Sequence, residues 1–218
     1  MGRWFAFVRW SASVIYHLLW WPRLEGRDHF PDGPYIICPN HRSWFDPPLV
    51  SVLTHWREIG FLAKAELHAN PIISRLLWSW NACPIRRGAI DRTAIRQVMA
   101  LLERGIPMLV FPEGTRSRTG KMLPPRPGVG LLARNAAVPV VPAYIFGSFR
   151  IGRAPFCWGR LRMRAGPPIT VEEIQGFGDN KEGYRALSRH ILERICDLGD
   201  DPARDRAAAF GDAAAAPR

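Results

Sequence analysis

Between residues 35 and 198 the sequence alternates short apolar runs with longer amphipathic ones, and this limits the possible fold more than any other feature. "YIIC" (35–38), "IGFLA" (59–63), "PMLVF" (107–111) and "VPVVPAYIF" (138–146) have the length and apolar content of buried strands. "ACPIR" and "LRMRAG" are weaker strand candidates, the first because of Pro84. Helical patterns lie between them: "PPLVSVLTHW" with proline in its first turn, "PIISRLLWSW" (71–80), "DRTAIRQVMALLERG" capped by Asp91 and closed by Gly105, "GVGLLARNAA", and residues 182–198. This order predicts an α/β fold: a single central mixed, mostly parallel sheet flanked by helices. The two prolines in 138–146 predict a strand near an edge, or a bulged one.

Three segments are expected. Residues 1–24 hold an N-terminal helix, 25–199 the α/β domain, and 200–218 a disordered tail rich in Ala, Asp and Arg without an apolar face. A helix over 4–21 would be about 27 Å long. Arg9, Ser13 and His17 recur at four-residue spacing and form one narrow polar stripe on an otherwise apolar cylinder. That pattern describes an amphipathic helix in a membrane interface, stripe to water and aromatics to lipid. A buried domain helix and a membrane span or uncleaved signal are the other readings, although "WWPRLEGRD" lacks a small-residue cleavage site.

Composition narrows the partners. The formal net charge is +11, carried almost entirely by arginine, since the lysines are Lys64, Lys121 and Lys181. Such an excess fits an anionic partner: nucleic acid, an anionic membrane surface or a phosphorylated substrate. Nine tryptophans, four of them at positions 4, 10, 20 and 21, favour the membrane–water interface. Nucleic acid fits poorly, because the basic residues do not form one helical stripe with base-reading neighbours. Cys38, Cys83, Cys157 and Cys196 are widely spaced, which suits buried free thiols in a reducing compartment.

Two polar clusters follow strand patterns, where α/β sheets bind ligands. In "NHRSWFD" (40–46), Asp46 precedes Pro47 and is expected to cap the next helix. The same carboxylate could hold His41, fixing its tautomer and leaving the far nitrogen to take a proton. On spacing alone, a capped turn and a general base both remain open. In "FPEGTRS" (111–117), Gly114 permits a tight turn, and Thr115, Arg116, Ser117 and Arg118 offer hydroxyls and guanidinium groups for a phosphate. A turn-stabilising Glu113–Arg116 ion pair is the alternative. Arg86 and Arg87 in "PIRRG" form a further basic knot.

In this order the clusters resemble the glycerolipid acyltransferase family, which includes bacterial 1-acylglycerol-3-phosphate acyltransferases. "NHRSWFD" matches its N-H-x4-D motif, "PIRR" is similar to its second motif, "FPEGTRS" matches its third, and "VPVVPAYI" is similar to its fourth. The resemblance covers roughly residues 35–170. It implies acyl transfer from acyl-CoA or acyl carrier protein to a lysophospholipid hydroxyl, giving phosphatidate in phospholipid biosynthesis. It implies catalytic roles for His41, Asp46 and Glu113, and acceptor binding by Arg87, Gly114, Thr115, Arg116 and Arg126. No metal or cofactor is implied, and the location implied is the cytoplasmic face of the membrane, peripheral or monotopic. Asn81 and Pro84 depart from the second motif, Arg126 stands where lysine is more usual, and the two-helix membrane anchor of the family is not evident. These departures leave open a different acceptor, such as a lyso-ornithine lipid. A membrane-associated binding protein without catalysis is the reading from another class.

Overall fold

The computed structural model describes residues 3–54, 58–86, 91–153, 155–156 and 158–211. The strands are β1 (Arg23–Glu25), β2 (Ile36–Pro39), β3 (Gly60–Lys64), β4 (Ala82–Ile85), β5 (Met108–Leu109), β6 (Val140–Phe146) and β7 (Arg162–Ala165). The α-helices are α1 (Arg3–Leu19), α2 (Asp46–Leu53), α3 (Pro71–Ser79), α4 (Arg92–Glu103), α5 (Pro127–Ala136), α6 (Val171–Gln175), α7 (Lys181–Cys196) and α8 (Pro202–Phe210). Among the described residues the strands form one sheet in the order β1-β7-β6-β2-β5-β3-β4. Every pairing is parallel except β6 with β7, as the expected mixed, mostly parallel α/β sheet requires.

The central strands β2, β5 and β6 are apolar and buried throughout because both faces of the sheet are covered there. Ile36, Met108, Val140 and Tyr144 enter a core that includes residues of α4, α5 and α7. Their chain neighbours Ile37, Leu109, Val141, Ala143 and Ile145 enter a second core with Tyr16 and Trp20, at the end of α1, and with Leu49 and Val50 of α2. Cys38, Cys83 and Cys196 are buried free thiols in these layers.

Three expectations are corrected. First, β6 is central, with β2 on one side and β7 on the other, despite Pro142. The parallel ladder directs alternate amides to opposite neighbours. Cys38 pairs with Pro142, yet the proline nitrogen faces the β7 side, where β7 has already ended at Ala165. The missing N–H therefore removes no bond to β2, and the Pro142 carbonyl still accepts from Gly166 N at 2.9 Å.

Second, the expected disordered tail carries α8. Its Ala209 is buried in the core, and Asp201 caps it by accepting from Arg204 N at 3.0 Å. An Ala-rich helix lacks a broad apolar stripe, but small side chains let its backbone dock closely. Residues 212–218 lie outside the described residues.

Third, Ser13 of the expected polar stripe of α1 does not face water. Ser13 is buried with Tyr16 and Trp20 on the face that meets the domain. The Ser13 carbonyl lies 2.8 Å from His17 Nδ1, so these two residues meet within the helix. Phe7, Trp10, Val14, Ile15, Leu18 and Trp21 are exposed instead. Trp158 Nε1 donates to Leu18 O at 3.0 Å at this helix end, and Phe156 and Trp158 are exposed as well. Ile72, Ile73, Leu76 and Trp78 of α3 are also exposed, Ile72 by 81%.

Candidate active site

β2 and β5 are adjacent and parallel, so the loops that follow them leave the sheet at the same edge. Those loops are 40–45 and 110–126, and they contain the two polar clusters. Asn40 anchors the first. Its Oδ1 accepts from Ile145 N at 2.6 Å and its Nδ2 donates to Ile145 O at 3.2 Å, so the side chain continues the pairing of β2 with β6.

His41 Nδ1 lies 2.9 Å from Asp46 Oδ2, and its ring stacks on Phe111 with centroids 3.9 Å apart and planes at 18°. Asp46 is fully buried. Its Oδ2 also accepts the amides of Arg42 and Ser43, each at 2.7 Å. Asp46 therefore does not cap α2, as the spacing suggested. It is the first helical residue, Phe45 occupies the cap position, and no side chain caps the helix. The cause is local. Pro47 and Pro48 have no N–H to offer, and Leu49 N already donates to Phe45 O at 3.1 Å. The carboxylate turns back to the loop, where donors are available.

A carboxylate accepts only, so His41 carries its hydrogen on Nδ1 and presents a lone pair at Nε2. No described residue bonds Nε2. The ring can therefore take a proton from a hydroxyl that approaches this nitrogen, while Asp46 stabilises the imidazolium that forms.

Glu113 is buried behind this pair. Its Oε1 accepts His41 N at 2.7 Å and its Oε2 accepts Leu123 N at 3.0 Å. Among the described residues it makes no ion pair with Arg116, because the carboxylate points inward. Ser117 N donates to His41 O at 2.8 Å, a second tie between the loops. Gly114 has φ +66°, and a Cβ there would stand 2.9 Å from Arg126 Cγ, so glycine brings the turn against the Arg126 stem. Arg126 N donates to Pro112 O at 2.8 Å and precedes α5. Arg116 lies over the Trp44 ring at 4.5 Å, which joins the two clusters on the outer side. Thr115 is half-buried in the same turn. His41, Asp46, Glu113, Gly114, Thr115, Arg116 and Arg126 are thus brought together, while Arg87 lies outside the described residues.

Sequence reasoning missed Asn40, Phe111 and Ser117 as holders of His41, although all three fall within the quoted motifs. It also missed Tyr16, whose hydroxyl donates to Phe45 O at 2.8 Å and links α1 to the loop. Burial, and then the charge of Asp46, push the Tyr16 hydroxyl well above its usual range, so it stays a neutral donor.

Burial pushes the Glu113 carboxyl up from 4.5 to about 7, against the pull of its two amide donors. A carboxyl raised in the folded state binds its proton more tightly there than in the unfolded chain. The stability from that proton is full below 4.5 and is lost as pH rises to about 7. Glu113→Gln cannot ionise, so the unfolding free energy in urea should lose this decline across that pH window. It should also fall by about 1–3 kcal/mol, because the amide accepts from only one of the two N–H groups. An unaltered slope would mean that another group titrates.

The sequence matches the family profile described as "Acyltransferase" over residues 22–146. It is 26% identical to 1-acyl-sn-glycerol-3-phosphate acyltransferase of Streptococcus pneumoniae, covering 89% of this chain and 74% of that one. The corresponding enzyme of Bacillus subtilis is 26% identical over 86% of this chain and 93% of its own. The crystal structure of the 1-acyl-sn-glycerophosphate (LPA) acyltransferase PlsC from Thermotoga maritima is similar, with a TM-score of 0.68 and 25% identity over 89% of this chain and 79% of that chain. With more than half its length matched by that profile, and with both loop clusters inside the match, the chain belongs to the acyltransferase family.

Proposed function

We propose that this acyltransferase moves an acyl group from a thioester, acyl-CoA or acyl carrier protein, to the free hydroxyl of 1-acylglycerol-3-phosphate, giving phosphatidate. The observation that carries this reading is the buried Asp46 carboxylate on His41 Nδ1, with Nε2 left open. In this mechanism His41 Nε2 takes the acceptor's hydroxyl proton as its oxygen attacks the thioester carbon. The C–O bond forms, the C–S bond breaks, and the departing thiolate takes the proton from the imidazolium. Asp46 holds the ring and offsets its transient charge. No covalent acyl-enzyme is needed.

The acceptor's phosphate would lie against the turn of Gly114 and Thr115, with Arg116, Arg126 and Arg87 as cations. Glu113 acts from behind, holding the amide of His41 rather than touching substrate. The names of the relatives support phosphatidate formation. Departures at Asn81, Pro84 and Arg126 favour, as a second reading, a different lyso-lipid acceptor. A panel of lyso-lipids offered with a mixed acyl-CoA pool separates the two by which one is consumed.

Among the described residues no helix is long and apolar enough to cross a membrane. The exposed aromatic and aliphatic side chains of α1, the exposed face of α3, and Phe156 and Trp158 suit peripheral or monotopic binding to an anionic bilayer. The charge of +11 suits the anionic cytoplasmic leaflet. Both substrates would then be met at that surface.

His41→Ala should lower kcat by about 10²–10⁴-fold in a folded protein; turnover within a few-fold of the parent would remove His41 from this role. Arg116→Ala should raise KM for the phosphorylated acceptor by about 10- to 100-fold. A fall in kcat alone would contradict its place on the phosphate. Leu18→Glu on the exposed face of α1 should weaken co-sedimentation with phosphatidylglycerol vesicles by about tenfold or more. Unchanged sedimentation would place the lipid contact elsewhere.

A further inference from the structure

Arg42, which follows His41, is held at both ends. Its amide donates to Asp46 Oδ2, the oxygen that also holds His41 Nδ1. Its side chain runs the other way, away from the imidazole. Nη2 donates to the Tyr144 hydroxyl at 2.6 Å and to Asp205 Oδ1 at 3.3 Å, and the guanidinium lies 5.0 Å from the Tyr144 ring centroid. The Tyr144 hydroxyl donates to Asp205 Oδ2 at 2.6 Å. The direction of this chain is forced, because a guanidinium only donates and a carboxylate only accepts. Tyr144 belongs to β6 and Asp205 to α8, and both are buried.

Asp205 reaches this position because α8 is docked from several sides. Ala209 enters the core, and Arg206 pairs with Asp197 at the end of α7. A Cβ at Gly199 would stand 2.7 Å from Asp205 Oδ2 and 3.0 Å from the Tyr144 ring, so the approach depends on glycine there. A cavity of about 480 Å³ lies against Arg42, Tyr144 and Asp205. A guanidinium released from Asp205 therefore has space to swing into. Among the described residues its hydrogen-bond partners are Tyr144 and Asp205, and its charge also draws down the Glu113 carboxyl. Arg42 would then lose one of its two ties, leaving the bond of its amide to Asp46 Oδ2 as the other.

We infer that Asp205 of α8, acting through Tyr144 and Arg42, is a positioning residue that keeps the His41–Asp46 pair aligned for acyl transfer. The inference rests on the proposed role of His41. It gives the C-terminal helix a part in the reaction without contact with either substrate.

The test is a steady-state comparison of full-length variants, with acyl-CoA and 1-acylglycerol-3-phosphate as substrates and active protein counted by its folded fraction. Asp205→Ala should lower kcat by about 10- to 100-fold while KM for both substrates stays within twofold. Arg42→Met should cost a similar factor, and Asp205→Ala added to Arg42→Met should lower kcat no further. Tyr144→Phe, which keeps the ring and removes the bridging hydroxyl, should lower kcat several-fold, and it serves if Asp205→Ala does not fold. A lower melting temperature with unchanged kcat per folded molecule would overturn the inference, since Asp205 would then only support the fold. A raised KM with intact kcat would overturn it, and so would full additivity with Arg42→Met. The role of His41 is judged separately: if His41→Ala kept its activity that role would fail, whereas an inactive His41→Ala beside a fully active Asp205→Ala and Tyr144→Phe would sink only the part assigned to α8.

Discussion

One buried oxygen, Oδ2 of Asp46, organises the centre of this protein. It accepts His41 Nδ1 and the amides of Arg42 and Ser43, all within 2.9 Å. Burying an ionised carboxylate is costly, and three short charge-assisted bonds offset that cost. These donors are captured because the helix that Asp46 begins opens with two prolines, which deprive the carboxylate of its usual forward partners. The turn, the start of α2 and the imidazole tautomer are therefore one arrangement. The proposed proton transfer needs nothing from His41 beyond what that arrangement already sets.

The sheet supplies the second constraint. Because β2 and β5 run parallel and side by side, their following loops meet at one edge, and the Glu113 carboxylate clamps them together through His41 N and Leu123 N. A carboxylate in the turn proposed to bind phosphate would repel an anionic substrate if it faced outward. Its burial resolves this, since it braces the backbone from behind and leaves Arg116 and Arg126 on the outer side. The region joins a rigid interior face, built from buried polar bonds, to an exterior face of arginine and aromatic side chains.

The helices at the two ends of the chain meet this loop from different directions. Tyr16 of α1 bonds Phe45 O, directly before Asp46, while the opposite side of α1 exposes its large apolar side chains. α8 reaches Arg42, directly after His41, from the opposite core layer. In the proposed mechanism the first connects a lipid-facing surface to the reacting pair, and the second holds the pair from within. Neither helix lies near the loop in sequence.

Much of the fold was legible in the chain. Apolar runs buried on both faces mark β2, β3 and β6, and capping residues such as Asp91 mark helix starts, because these signals act over a few neighbouring residues. The order and content of the two loop motifs were legible as well, and so was the possibility that Asp46 meets His41, five positions away. Other features required the folded molecule. Pro142 sits in a central strand because its missing donor points past the end of β7, a matter of register between distant strands. Ser13 of α1 turned inward because helix docking, not helical periodicity alone, decides which face meets water. Asp205 looked like part of a disordered tail because its ordering comes from Tyr144 and Arg42, which lie 61 and 163 positions earlier. By itself the sequence determined which residues can carry the chemistry and the elements that present them. Only tertiary structure decided which carboxylate faces the imidazole, which braces the backbone and which holds Arg42, because a buried charge is stable only where distant parts of the chain bring it its partners.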